Sequence, residues 1–226
     1  MGQAQALAHP FSLATAQYWA AVLHYRRREA PAVQAQAEGI LTLATAHEFP
    51  VWVGYGIGWR GWALTMQGQS EEGLAQLRQG VAAILAAGNV LVRPRGLILL
   101  AEAMGHTSQV EEGLRLLVEA LTALETSGQS DPLTEAYRIQ GELLLRQAVP
   151  DAAQAEACFH QALAIARRQQ AKSWELRAAV SLSRLWHQQG RRAEAFELLA
   201  PIYGWFTEGF DTADLQEAKA LLAELA

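Results

Sequence analysis

Apolar residues recur along this chain at steps of three and four, the spacing that lines one face of an α-helix, while β-branched runs that would favour strands are scarce. In the stretch EEGLRLLVEALTAL, Leu114, Leu117, Leu121 and Leu124 share one stripe, and Glu111, Glu112, Arg115 and Glu119 lie mostly away from it. Glycine or polar breaks interrupt the pattern at Gly68-Gln69-Ser70, Gly105 to Ser108, Val149-Pro150-Asp151 and Gly190-Arg191. Glycine takes the left-handed backbone that ends a helix without steric cost, and Ser70 or Asp151 can serve the exposed N–H groups at a helix start. The pattern predicts helix pairs at about 13–47, 51–87, 93–127, 132–169 and 173–207, with a last helix at about 212–225 carrying Leu215, Ala218, Leu222 and Leu225 on one stripe. The expectation is one all-α domain over 1–226, five helical hairpins and a C-terminal cap.

The chain also repeats itself. QSEEGLAQL at 69–77 returns as QVEEGLRLL at 109–117, and small residues recur at matching points of the pairs. Gly61, Ala101, Gly141 and Ser183 fall in first helices; Gly73, Gly113, Ala155 and Ala195 fall in second helices. Large residues follow at Leu64, Met104, Leu144 and Trp186, and at Leu77, Leu117, Phe159 and Leu199, with a period of 40 to 42 residues. Small residues on both helices allow the backbones close together, and one hairpin cannot bury both of its apolar faces, so copies stack and each restates the same instructions.

This pattern, with Ala-x-x-x-Phe-x-x-Ala-Leu in AEACFHQAL at 155–163, resembles the tetratricopeptide repeat, stretched beyond its usual ~34 residues. The resemblance implies a tetratricopeptide-like α-solenoid. Residues 171–225, from AKSWELRAAV to LLAEL, are similar to the C-terminal end of bacterial signalling proteins that join a class III adenylate/guanylate cyclase domain and an ATPase module to such a tail. That likeness implies a regulatory module without catalytic residues of its own, since none of the cyclase or ATPase motifs falls within this sequence.

Composition narrows the function. The 226 residues are 51% hydrophobic and carry 18 basic against 23 acidic side chains, so the chain can bury a core and would repel a nucleic acid. A single cysteine, Cys158, rules out an internal disulfide, suits the cytoplasm, and reads as a buried, inert thiol. Every apolar run is too short to span a bilayer. The opening MGQAQALAHPF lacks the features of a secretory signal, and Ala6 stands where a myristoylation site wants Ser or Thr.

Candidate chemistry is sparse. Gly56, Gly58 and Gly61 in GYGIGWRG fit a dinucleotide-binding pattern after a possible VWV strand, but no second strand and no acidic partner follow. Gly54, Gly56 and Gly58 imply either a frayed helix start or close packing, with a small-molecule sensor pocket at 54–61 as the alternative function. His9, His24, His47, His106, His160 and His187 form no metal-ligand pair, so no metal or cofactor is expected. The Glu71-Glu72 and Glu111-Glu112 pairs suit helix N-termini, and Arg26 to Arg28 and Arg167-Arg168 suit C-termini. Trp186 and Trp205 are expected on apolar stripes.

In arrays of this kind the first helices line an inner groove. The matching offsets point to Tyr18, Tyr55 and Trp62, then to Arg95, Glu102, Glu135, Arg138, Glu142, Arg177, Arg184 and His187. The expected function is a non-enzymatic protein-interaction module taking a protein or peptide segment, with no nucleic acid or membrane partner.

Overall fold

The computed structural model describes residues 9–226. The segment weighed for myristoylation lies outside these residues. Within them the chain forms eleven α-helices and no strand: α1 (Pro10–Arg26), α2 (Ala30–Ala46), α3 (Pro50–Met66), α4 (Ser70–Ala86), α5 (Arg93–Met104), α6 (Val110–Ser127), α7 (Leu133–Arg146), α8 (Ala152–Arg168), α9 (Lys172–Gln188), α10 (Arg192–Tyr203) and α11 (Ala213–Leu225). A short 3-10 turn, Val90–Val92, precedes α5. The chain divides into two compact units, Met1–Gln109 with α1 to α5 and Val110–Ala226 with α6 to α11. In the first unit neighbours in sequence pack together and α3 also touches α1 and α5; in the second, α9 likewise touches α7 and α11.

The turns share one geometry despite different sequences. The amide of Gln69 donates to the Leu64 carbonyl at 2.9 Å, that of Glu29 to His24 at 2.9 Å, Phe49 to Ala44 at 2.9 Å, Ala171 to Ala166 at 2.9 Å and Arg191 to Trp186 at 2.8 Å. Each closes the last turn of a helix through a residue in the left-handed region. Gly68 and Gly190 supply it at φ 89° and 79°, whereas Arg28, Glu48 and Gln170 adopt it at φ 61°, 54° and 53° without glycine's freedom. Gly105, expected to act the same way, has φ −62°. Asp151 does cap α8, its carboxylate accepting from the Gln154 amide at 2.9 Å. Ser70 instead is the first helical residue of α4, behind a Gln69 cap that makes no side-chain bond.

Small residues set the spacing of α3 and α4. A Cβ on Gly61 would stand 2.6 Å from the Gly73 carbonyl oxygen, and one on Gly80 would stand 2.6 Å from the Gly58 Cα. The helix carrying Gly54, Gly56 and Gly58 is therefore close-packed and not frayed, and the VWV segment belongs to it. In the second unit the same contact is made by other means. The Phe159 ring lies against Gly141, and the Ser183 hydroxyl donates to the Ala195 carbonyl at 3.1 Å. Trp186 is buried, but Trp205 is 57% exposed: α10 stops at Tyr203 with Gly204 as its cap, so the stripe expected to reach 207 ends first.

Gly61→Ala and Gly80→Ala should each destabilise by ~1–3 kcal/mol through overpacking. Gly58→Ala, whose Cβ meets nothing nearer than 3.9 Å, should be neutral or stabilising by up to ~1 kcal/mol. Thermal or urea unfolding of the three variants checks the contrast.

Candidate functional site

In the first unit α1 and α3 meet through a set of aromatic side chains, with Arg95 and Glu102 of α5 beside them. Tyr18 meets Tyr55 with ring centroids 4.7 Å apart, Trp52 at 5.8 Å and Trp59 at 6.3 Å; Tyr25 meets Trp62 at 5.0 Å. These tilted and edge-on arrangements suit ring quadrupoles and hold the rings in place. Tyr18 and Tyr55 are half-buried, Arg95 is exposed, and Trp62 is only 2% exposed. Trp62 Nε1 donates to Glu102 Oε2 at 2.8 Å, tying α3 to α5. Asn89 Nδ2 donates to the Tyr55 hydroxyl at 3.0 Å. Burial, with Tyr55 adding to it and Arg95 and Arg26 opposing, pushes the Tyr18 phenol up to about 12. Burial also raises Tyr55 against the Asn89 hydrogen bond and Arg95. Both phenols stay neutral near pH 7.

In the second unit the corresponding face is ionic. On α7, Arg138 bonds Glu135 at 2.5 Å and Glu142 at 2.6 Å. On α9, Arg177 sits 3.6 Å from Glu135 and 2.6 Å from Asp214 of α11, and Ser181 donates to Glu142 at 2.9 Å. Arg184 pairs with Glu217, next to a cleft of about 270 Å³ that also involves His187 and Glu224. The stripes repeat at helical spacing, so three helices are joined by a ladder of charge pairs. Burial works to raise the Glu142 carboxyl, but Arg138, the Ser181 hydroxyl and Arg146 outweigh it and hold it below its usual range.

The expected groove residues therefore divide. Tyr18, Tyr55, Arg95, Glu102, Glu142, Arg184 and His187 keep accessible surface. Trp62, Glu135, Arg138 and Arg177 are buried, at 2%, 4%, 8% and 7% exposure; Trp62, Glu135 and Arg177 reach the next helix, and Arg138 pairs along its own. Trp52, Trp59 and Tyr25 complete the aromatic face and were missed, although Trp52, Trp59 and the predicted Tyr55 and Trp62 all lie at helical spacing in one helix. Asp214, Ser181 and Glu217 were missed because their partners are 37, 39 and 33 residues away.

The other candidate chemistry resolves into packing. Cβ positions at Gly54, Gly56 and Gly61 are already taken by Ile84, Leu41 and the backbone of α4. Burial, with Asp151 adding to it, pushes the Cys158 thiol up to about 11, and its Sγ lies 3.4 Å from Gln140 Oε1. Among the described residues no group of three or more His, Cys, Asp or Glu side chains is placed to hold a metal ion, and no helix is long and apolar enough to cross a membrane.

Comparison with solved structures places this geometry in a fold. A Q17M variant of a protein from Podosopora anserina, described as a kinesin light chain with nearly identical TPR-like repeats, matches with a TM-score of 0.59 at 19% identity, covering 87% of this chain and 95% of that one. PilF of Pseudomonas aeruginosa matches with a TM-score of 0.58 at 13% identity, covering 96% and 90%. No family model matches the sequence, and no curated protein does. The fold is the all-α, tetratricopeptide-like repeat.

Removing one member of the buried ladder deprives a partner of a counter-ion. Arg177→Met takes from Asp214 the cation at 2.6 Å, leaves Glu135 paired with Arg138, and should cost ~3–5 kcal/mol, read by urea unfolding. The carboxyls of Glu142, Glu156 and Glu175 are all held below the ordinary glutamate value. Their stabilisation is present above that value and is lost as pH falls through their lower folded-state values. The thermal midpoint should accordingly drop in acid, and Glu142→Gln should flatten that drop. Cys158 should stay unreactive toward a thiol reagent near pH 8 until the protein is unfolded, which a colorimetric thiol assay reads directly.

Proposed function

We propose that this chain is a non-enzymatic protein-interaction module, and that the aromatic face of its first unit receives the partner segment. The observation that carries this is the partly exposed cluster of Tyr18, Trp52 and Tyr55, with Arg95 close enough to perturb both phenols. Aromatic rings offer large amphipathic area at small entropic cost, and they dominate binding energy where they gather. A segment with apolar side chains to lay on the rings and a carboxylate to meet Arg95 fits that chemistry. Glu102, held by Trp62, offers an acceptor at the far end of the same face.

The likeness of residues 171–225 to the tails of cyclase and ATPase signalling proteins supports a regulatory role, with the partner segment belonging to another domain of a parent protein. The tetratricopeptide-like fold supports the same reading. Nothing around Gly54 to Gly61 favours the sensor alternative, since helix packing takes up the room there.

Peptides selected against the whole protein from a displayed random library should bind the wild type saturably in fluorescence anisotropy. Tyr18→Ala with Tyr55→Ala should weaken them at least tenfold, provided the thermal midpoint shows the variant is folded. Val118→Ala, at an exposed position in the second unit, should leave them unchanged. Peptides that bind both variants as well as the wild type would remove this face from the function.

A further inference from the structure

The outer side of α1 is apolar and open. Trp19 and Leu23 are 61% and 57% exposed, and no Asp, Glu, Lys or Arg occurs from Pro10 to Leu23. Helices that end a repeat array ordinarily present a polar outer face. In the second unit α11 does so, exposing Gln216, Lys219, Ala220, Ala223 and Glu224.

The repeat says what the open face is for. Hairpin α1–α2 maps onto α3–α4 by a shift of forty residues, helix for helix. Trp19 then corresponds to Trp59, Leu23 to Ala63 and Ala16 to Gly56. On α3 these positions are sealed: Trp59 is 8% exposed and Ala63 is 0% exposed, in a cluster with Ala30, Val33 and Ala37 of α2 and Ala21 and Val22 of α1, where Trp59 also meets the Tyr18 and Tyr25 rings, and Gly56 lies under Leu41 of α2. Ala16 thus lies on the face that α2 covers on α3, while Trp19 holds a place that α1 and α2 cover together there.

The same mapping fixes the chemistry of whatever covers it. A Cβ on Gly56 would fall 2.6 Å from Leu41 Cγ, and α1 has Ala16 there, so the incoming helix needs a small residue where α2 has Leu41. Gln67, just past α3, donates to Gln34 near the start of α2 at 2.8 Å; Arg27 holds Gln67's place after α1. His24, Arg26, Arg27 and Arg28 make that end of α1 basic, with Glu29 opposing them. An acidic first turn is complementary to it, and α4, α6 and α10 carry Glu in their own first turns.

We propose that the outer face of α1 docks one amphipathic helix of a separate partner protein. It lies antiparallel to α1 as α2 lies on α3, with a small residue over Ala16 and an acidic first turn beside Arg27. This inference rests on the repeat geometry and not on the aromatic face.

The probe is a labelled peptide of residues 29–47 carrying Gln34→Glu and Leu41→Ala, titrated into the full chain by fluorescence anisotropy. Binding should be saturable and at least tenfold weaker for the exposed-surface variant Trp19→Glu/Leu23→Glu. A peptide in water loses affinity to helix nucleation, so a second form joins residues 29–49 with the same two changes directly ahead of Pro10. That fusion should raise the thermal midpoint and protect the α1 amides from hydrogen exchange, and both gains should vanish with Trp19→Glu/Leu23→Glu. Failure of both forms overturns the proposal, as do gains that survive the variant. Sedimentation showing that the unextended chain dimerises through Trp19 would give the face to a second copy and likewise overturn it. Tyr18→Ala/Tyr55→Ala should leave the probe's binding intact, so this test and that of the aromatic face fail separately.

Discussion

Two helix backbones come into direct contact only where neither carries a side chain between them, and the fold of this chain depends on having such places at regular intervals. Gly61 against Gly73 and Gly58 against Gly80 bring α3 and α4 together. Once the backbones are that close, residues one turn away, such as Leu77 and Ile84, are carried into full burial. Apolar burial supplies the driving force, but the small residues decide which faces meet. The second unit reaches the same arrangement with a ring over Gly141 and a hydroxyl-to-carbonyl bond at Ser183.

The two units use the outward side of their first helices differently. In the first unit that side is aromatic, with rings braced against one another and polar tips held by Asn89 and Glu102. In the second, Arg138 and Arg177 are spent on Glu135, Glu142 and Asp214. A buried charge surrounded by partners holds helices in register at little net gain in stability, and it offers little to an incoming ligand. Rings that keep part of their surface open remain available, which is why we propose the first unit for the partner site.

Much of this was legible in the sequence because helical periodicity and the forty-residue recurrence are local signals. The pairing of Gly61 with Gly73, the cap at Asp151 and the buried thiol of Cys158 all follow from neighbours along the chain. The groove was less legible. An offset rule selects the side of a helix, but whether Arg177 meets solvent or Asp214 depends on a residue 37 positions on, in a different helix. The offset marks Trp62 as a contact residue, being aromatic and on the right side; its neighbours Tyr25 and Glu102 bury it. Trp205 went the other way, since a helix that ends at Gly204 cannot carry its stripe to 207.

The central claim is that each hairpin is held by its neighbours and could not persist alone. The direct test is circular dichroism of the isolated α3–α4 hairpin, residues 49–88, beside the intact chain. The account predicts little helix and no cooperative melting for the hairpin, against full helix and a sharp transition for the whole protein. A hairpin that is fully helical by itself and melts cooperatively would contradict it.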